Sequence, residues 1–191
     1  MTLSDMYKMG RAVFDEVRDI PYRVSTYPGD PAPNCSMKAK LLLERLGVLG
    51  FTVRARMAEM DWADTLIPPE IVALSSKEDL LTHLYIEVMR DGQWVALDAS
   101  WDRGLEKAGF PIANFDGTHS PAFPLKKVFD VEEQGKYTHA WLAPPDYIEE
   151  HYGEEHVFER VAEDDYVENY YRRNGPFLKA VNEWLAQVRR G

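Results

Sequence analysis

Residues 82–102 read THLYIEVMRDGQWVALDASWD, and this stretch predicts a β-hairpin from which the rest of the fold can be placed. Large apolar or β-branched residues dominate from Leu81 to Arg90 and again from Gln93 to Leu97. Between them stands Asp91-Gly92, the dipeptide most typical of a two-residue type I′ turn. Such a turn fixes the register, so Arg90 opposes Gln93, Met89 opposes Trp94, Tyr85 opposes Asp98 and His83 opposes Ser100. Opposed residues share a face of the sheet, which puts His83, Tyr85, Glu87, Trp94, Ala96, Asp98 and Ser100 on one side. His83 and Asp98 are then diagonal neighbours with Cβ atoms about 7 Å apart, a gap that an imidazole and a carboxylate can close. A carboxylate that accepts the imidazole N–H fixes its tautomer and raises its basicity, which is the form of an oriented general base. The hairpin itself supplies no nucleophile.

Upstream, NCSMKAKLLLERLG at 34–47 is the strongest helix in the chain. Asn34 is a fair N-cap, the interior is rich in helix formers, and Gly47 marks the expected C-terminal stop. Cys35, Ala39, Leu42, Leu43 and Leu46 fall on one face. Cys35, the only cysteine, therefore sits in the first turn and points toward the layer that the helix packs against. A helix N-terminus favours thiolate over thiol. The competing reading is a small buried hydrophobe.

Around these two elements the pattern is mixed. Ser4-Asp5 can cap a first helix with Met6, Met9, Val13, Val17 and Ile20 as its apolar stripe, ended by Pro21. Residues 22–33, with three prolines, form a loop. FTVRARM at 51–57 alternates as a strand does, and 61–76 is loop with a short helix after Pro68-Pro69. Beyond Trp101 the signals weaken: LKKVFDV at 125–131 and YTHAWLA at 137–143 read as strands, while 146–159 is ambiguous. Asn174-Gly175-Pro176 opens a terminal amphipathic helix carrying Phe177, Leu178, Val181, Leu185 and Val188, with Arg189-Arg190 suited to its dipole.

The 191 residues fit a single domain over 1–191, with 102–191 extending and covering the core. Hydrophobic content of 45% and aromatic content of 12% exclude a disordered chain. A net charge of −10 argues against nucleic acid or an anionic membrane as the partner. No apolar run is long enough to span a bilayer, and the first residues carry charges where a signal peptide needs its apolar core, so a cytoplasmic location is expected. One cysteine excludes an internal disulfide and a multi-cysteine zinc site. His151 and His156 with Glu154 and Glu155 do not form a metal site, because an i,i+5 spacing does not align two ligands on a helix. Tyr166, Tyr170, Tyr171 and Trp184 read as packing residues.

Cys35 at a helix start, then His83 and Asp98 on a hairpin, form a Cys–His–Asp set in that order. Asn34-Cys35-Ser36-Met37-Lys38-Ala39, His83-Leu84-Tyr85-Ile86-Glu87 and Trp94-Val95-Ala96-Leu97-Asp98 together resemble the transglutaminase-like superfamily, the circularly permuted relatives of papain. The lead-in Ile20-Pro21-Tyr22 and the segment Leu46–Arg56 are similar to it as well, so the resemblance covers about residues 20–101. It departs in having Pro33 two residues before the cysteine, where glycine is common, and Met37 two after it, where an acidic residue is common.

The resemblance implies an α+β fold with a papain-like, transglutaminase-like core: the nucleophile helix packed on an antiparallel sheet, with C-terminal helical additions. It implies acyl transfer from an amide or peptide-type carbonyl through a Cys35 thioester, with His83 as acid–base and Asp98 as its orienter. The acyl group then passes to water or to an amine. The expected substrate is a peptide, a protein side chain or a small amide, with no cofactor, no metal, no nucleic acid and no membrane; the sequence sets no oligomeric state. The backbone N–H of Cys35 is one expected oxyanion donor, and Tyr22, Tyr27 and Asn34 are alternatives for the other. His139, in His139-Ala140-Trp141, is the rival base, although Pro144-Pro145 cuts its strand and no return strand follows. The alternative function is a non-catalytic module that keeps the fold and binds a peptide in the groove.

Overall fold

The computed structural model describes residues 2–76, 82–130 and 154–191. The described chain is α+β. Helix α1 (Leu3–Arg18) and helix α2 (Cys35–Val48) precede strand β1 (Val53–Glu59), and a short helix α3 (Pro69–Val72) leads to strands β2 (Thr82–Arg90) and β3 (Gln93–Leu97). Strand β4 (Lys127–Asp130) follows a long connection, and helix α4 (Glu154–Val188) closes the chain. The four strands form one antiparallel sheet in the order β3-β2-β1-β4.

The hairpin turn is as its two residues dictate: Asp91 and Gly92 both take positive φ, 49° and 79°, the type I′ signature. Pairing runs from Arg90↔Gln93 through Met89↔Trp94 to Ile86↔Leu97. There it ends. The expected pairs Tyr85–Asp98 and His83–Ser100 are not part of the ladder, because β3 stops at Leu97 and the chain turns away.

The buried residues form two cores, one of which includes the sheet. In one, Ala39, Leu42 and Leu46 of α2 and Phe14 and Val17 of α1 pack against Leu84, Ile86, Val88, Met57 and Leu97. In the other, Tyr22, Trp62, Trp101, Phe110 and Phe123 meet Tyr170, Phe177, Leu178, Val181 and Leu185 of α4. Cys35 packs against the second core and Ala39, one turn later, belongs to the first. The start of α2 therefore lies on the seam between them.

Several boundaries differ from expectation for local reasons. Thr2, not Ser4-Asp5, caps α1, since Thr2 and Asp5 complete a reciprocal capping box. The buried face of α1 runs through Gly10, Phe14 and Val17, while Met9 is exposed, because Phe51 and Phe115 crowd Gly10 too closely for any side chain there. Helix α2 runs past Gly47 to Val48; the glycine that turns the chain is Gly50, at φ +90°. Strand β1 begins two residues later than its apolar pattern and ends at Glu59.

The largest departure is at Asn174-Gly175-Pro176, which lies inside α4 instead of starting it. Pro176 lacks an amide proton and would normally break a helix. Here Asn174 is buried, its Nδ2 donating to the Tyr170 carbonyl at 3.1 Å and its Oδ1 accepting from the Ser76 amide at 2.8 Å. Phe177, Leu178, Val181 and Leu185 remain buried on the face expected of them. The expected strand at 137–143, with His139, lies outside the described residues, as does His151.

Candidate active site

Asn34 sets the start of α2, its side-chain oxygen accepting from the Met37 amide at 3.0 Å while its Nδ2 donates to Ser25 Oγ at 2.8 Å. Cys35 is thus the first residue of the helix. Its side chain is half-buried, and as a first-turn residue its amide has no acceptor within the helix.

His83 and Asp98 are both 1% exposed, and His83 Nε2 donates to Asp98 Oδ2 at 2.6 Å. The diagonal approach expected from the turn is met, although Asp98 lies just past the end of β3. That position gives the carboxylate more donors than a ladder residue would have. Oδ2 also accepts from the Ala122 amide at 2.8 Å, and Oδ1 accepts from Ser100 Oγ at 2.6 Å and the Ser100 amide at 3.1 Å. The Asp98 amide in turn donates to Ser120 Oγ. Phe123 lies against the His83 ring at 4.3 Å between centroids, and Tyr85 stacks on it at 6.1 Å. The imidazole is held on every side but one.

The open side is Nδ1, which is buried and without a hydrogen-bond partner. Cys35 is the thiol it can serve: each of the two groups favours the charged form of the other. Burial disfavours the imidazolium, but the Asp98 carboxylate outweighs it and pushes His83 up to about 10. Burial likewise opposes the Asp98 charge, and His83 with Ser100 and Ala122 brings that carboxyl below its ordinary value. For Cys35, burial raises the pKa, while the His83 ring and then the Leu84 amide overcome it and lower the thiol below its ordinary value. Both shifts act in the direction of a thiolate–imidazolium pair.

The three oxyanion alternatives separate clearly. Tyr27 is 54% exposed and Asn34 is occupied as a cap. Tyr22 is buried, its ring edge-on to Trp101 at 4.8 Å, and its phenol is held well above its ordinary pKa by burial and by the charges of Cys35 and Asp98. It stays a protonated donor. Its backbone is fixed by Asp102 and Arg189: the Tyr22 amide donates to Asp102 Oδ2 at 2.8 Å, and Arg189 donates to the Tyr22 carbonyl at 2.8 Å and to Asp102 Oδ2 at 2.6 Å. Arg189 thus serves an ion pair, where a dipole partner was expected.

Sequence reasoning placed Ser100 on the His83 face without giving it a role, and it missed Ala122, Phe123 and Lys38. Lys38 alone had a visible signal, a cation three residues after Cys35 on the buried face of α2. It is 1% exposed, and its Nζ donates to the carbonyls of Arg18, Ala99 and Ser100 at 2.9, 3.0 and 2.9 Å. No family model matches the chain, and no curated protein or solved structure matches it.

Proposed function

We propose that this chain is a cysteine-dependent acyl-transfer enzyme with a papain-like, transglutaminase-like core, acting on an amide or peptide-type carbonyl. The observation that carries the reading is the imidazole of His83, bonded to Asp98 through Nε2 and left with an unfilled Nδ1 beside the thiol at the start of α2. Most buried side-chain nitrogens find a partner, so an imidazole nitrogen left without one is in keeping with use in chemistry.

In the proposed reaction the Cys35 thiolate attacks the carbonyl carbon, forming a C–S bond and placing negative charge on the oxygen. The Cys35 amide and the Tyr22 hydroxyl stabilise that oxygen. The tetrahedral intermediate collapses as His83 Nδ1–H gives its proton to the leaving nitrogen, the C–N bond breaks and the thioester remains. Water or an amine then attacks the thioester, His83 takes its proton, and the thiolate departs. Asp98 stays ionised throughout and holds the ring.

The test is alkylation of the folded protein. Iodoacetamide should modify Cys35 at pH 6 faster than it modifies a free thiol, and His83→Ala should abolish the excess. Reaction only after denaturation, or indifference to His83→Ala, would exclude the acyl-transfer reading and favour a peptide-binding module.

A further inference from the structure

The seam between the hairpin and α2 holds an unusual arrangement. Met89 donates to the Thr52 carbonyl across the β1 side. Amides alternate along a strand, so odd-numbered amides of β2 point to β1 and even-numbered ones point to β3. The pairs Arg90↔Gln93, Val88↔Val95 and Ile86↔Leu97 use those even-numbered residues. The next would be Leu84 with Ala99. It does not form: pairing ends at Ile86↔Leu97, and the Ala99 carbonyl accepts from Lys38 Nζ at 3.0 Å, as the Ser100 carbonyl does from the same group.

We propose that Lys38 is a positioning residue for the Cys35 thiolate: by holding the Ala99 and Ser100 carbonyls, its ammonium keeps the chain after Asp98 out of the ladder and leaves the Leu84 amide for the sulfur. This rests on Cys35 being the nucleophile. The Leu84 amide is among the groups that lower the Cys35 thiol, in keeping with that assignment. The third acceptor, the Arg18 carbonyl, lies at the C-terminal end of α1, where a cation is favoured. Burial lowers Lys38 to about 7 against the pull of Asp102 and Asp98, so below that pH one ammonium fastens α1, α2 and the Asp98 segment at a single point, with three acceptors for its three protons.

The experiment follows the Leu84 amide by proton–nitrogen NMR and Cys35 alkylation by iodoacetamide, both against pH, in the full chain. In the wild type the Leu84 amide should shift with the same inflection as the alkylation rate, and Cys35→Ser should remove that shift. Lys38→Met should raise the inflection and slow alkylation at pH 6 about tenfold, as loss of one hydrogen bond to a charged group implies. Leu46→Val, which loosens the same helix without removing a donor, should leave the inflection in place. A Leu84 amide that stays flat while Cys35 ionises below the ordinary thiol range would overturn the role of Lys38 and leave the acyl-transfer reading standing. An unmoved inflection in Lys38→Met would do the same. If Cys35 shows no lowered ionisation at all, both proposals fall. Should Lys38→Met not fold, the wild-type Leu84 titration decides alone.

Discussion

His83 and Asp98 meet at 2.6 Å with both side chains sealed from solvent, although no ladder hydrogen bond joins their two backbones. A buried ion pair of this kind is costly to break, since either partner left alone is an uncompensated charge. Asp98→Asn should therefore destabilise the fold by about 3–5 kcal/mol in urea unfolding. The pH dependence follows from the two shifts. His83, raised from 6.5 to about 10, contributes fully below pH 6.5 and loses its contribution as pH rises through that interval. Asp98, lowered from 3.8, contributes above pH 3.8 and loses its contribution as pH falls through its folded value. The difference between wild type and Asp98→Asn should be largest between pH 3.8 and 6.5. A difference that grows steadily toward pH 9 would contradict the ion pair.

The same shifts set a window for Cys35. Its thiol is lowered from 9.0 and His83 keeps its proton to about 10, so the window for a thiolate–imidazolium pair opens below 9.0 and closes at about 10. Alkylation of the wild type should rise to a plateau that begins below pH 9.0, and Asp98→Asn should move its onset to higher pH. A rate that simply follows a free thiol would count against the pair.

Tyr22→Phe separates the oxyanion donor from the nucleophile. Release of nitrophenolate from p-nitrophenyl acetate should slow by about 10²–10³-fold, while iodoacetamide alkylation, which develops no oxyanion, should be unchanged. Equal loss in both assays would assign Tyr22 to packing against Trp101.

Helix α4 carries removable strain of composition. Gly175 has no neighbour within 4 Å of an added Cβ, and Pro176 is exposed. Gly175→Ala should stabilise the protein by about 1 kcal/mol in urea unfolding, through helix propensity. Pro176→Ala should add up to about 3 kcal/mol by restoring an amide proton. Destabilisation by either would mean that the segment depends on its irregular residues.

The sequence disclosed the site where local chemistry governs it. Asp91-Gly92 set the turn and so brought His83 to Asp98, and Asn34 set the helix start that carries Cys35. It was silent where distant segments compete for the same backbone groups. Nothing near Leu97 announces that β3 ends there, and the side chain that holds the Ala99 carbonyl beyond it is Lys38, 61 residues earlier. Ala122 and Phe123 reach the pair from a loop with no periodic pattern. Asn174-Gly175-Pro176 reads locally as a helix start, and the contact that buries Asn174 inside α4 comes from the Ser76 amide, 98 residues away.

The bonds of α4 to the segment at Tyr22–Val24 also join parts of the chain that are synthesised far apart. Asn182 both accepts from the Val24 amide and donates to its carbonyl across 158 positions, and Arg189 reaches the Tyr22 carbonyl across 167. During synthesis α2 and the hairpin leave the ribosome long before those two side chains exist. The acyl-transfer centre proposed here would come into register only after residue 189 has emerged, so a stalled or shortened product would display the cysteine without its full surroundings.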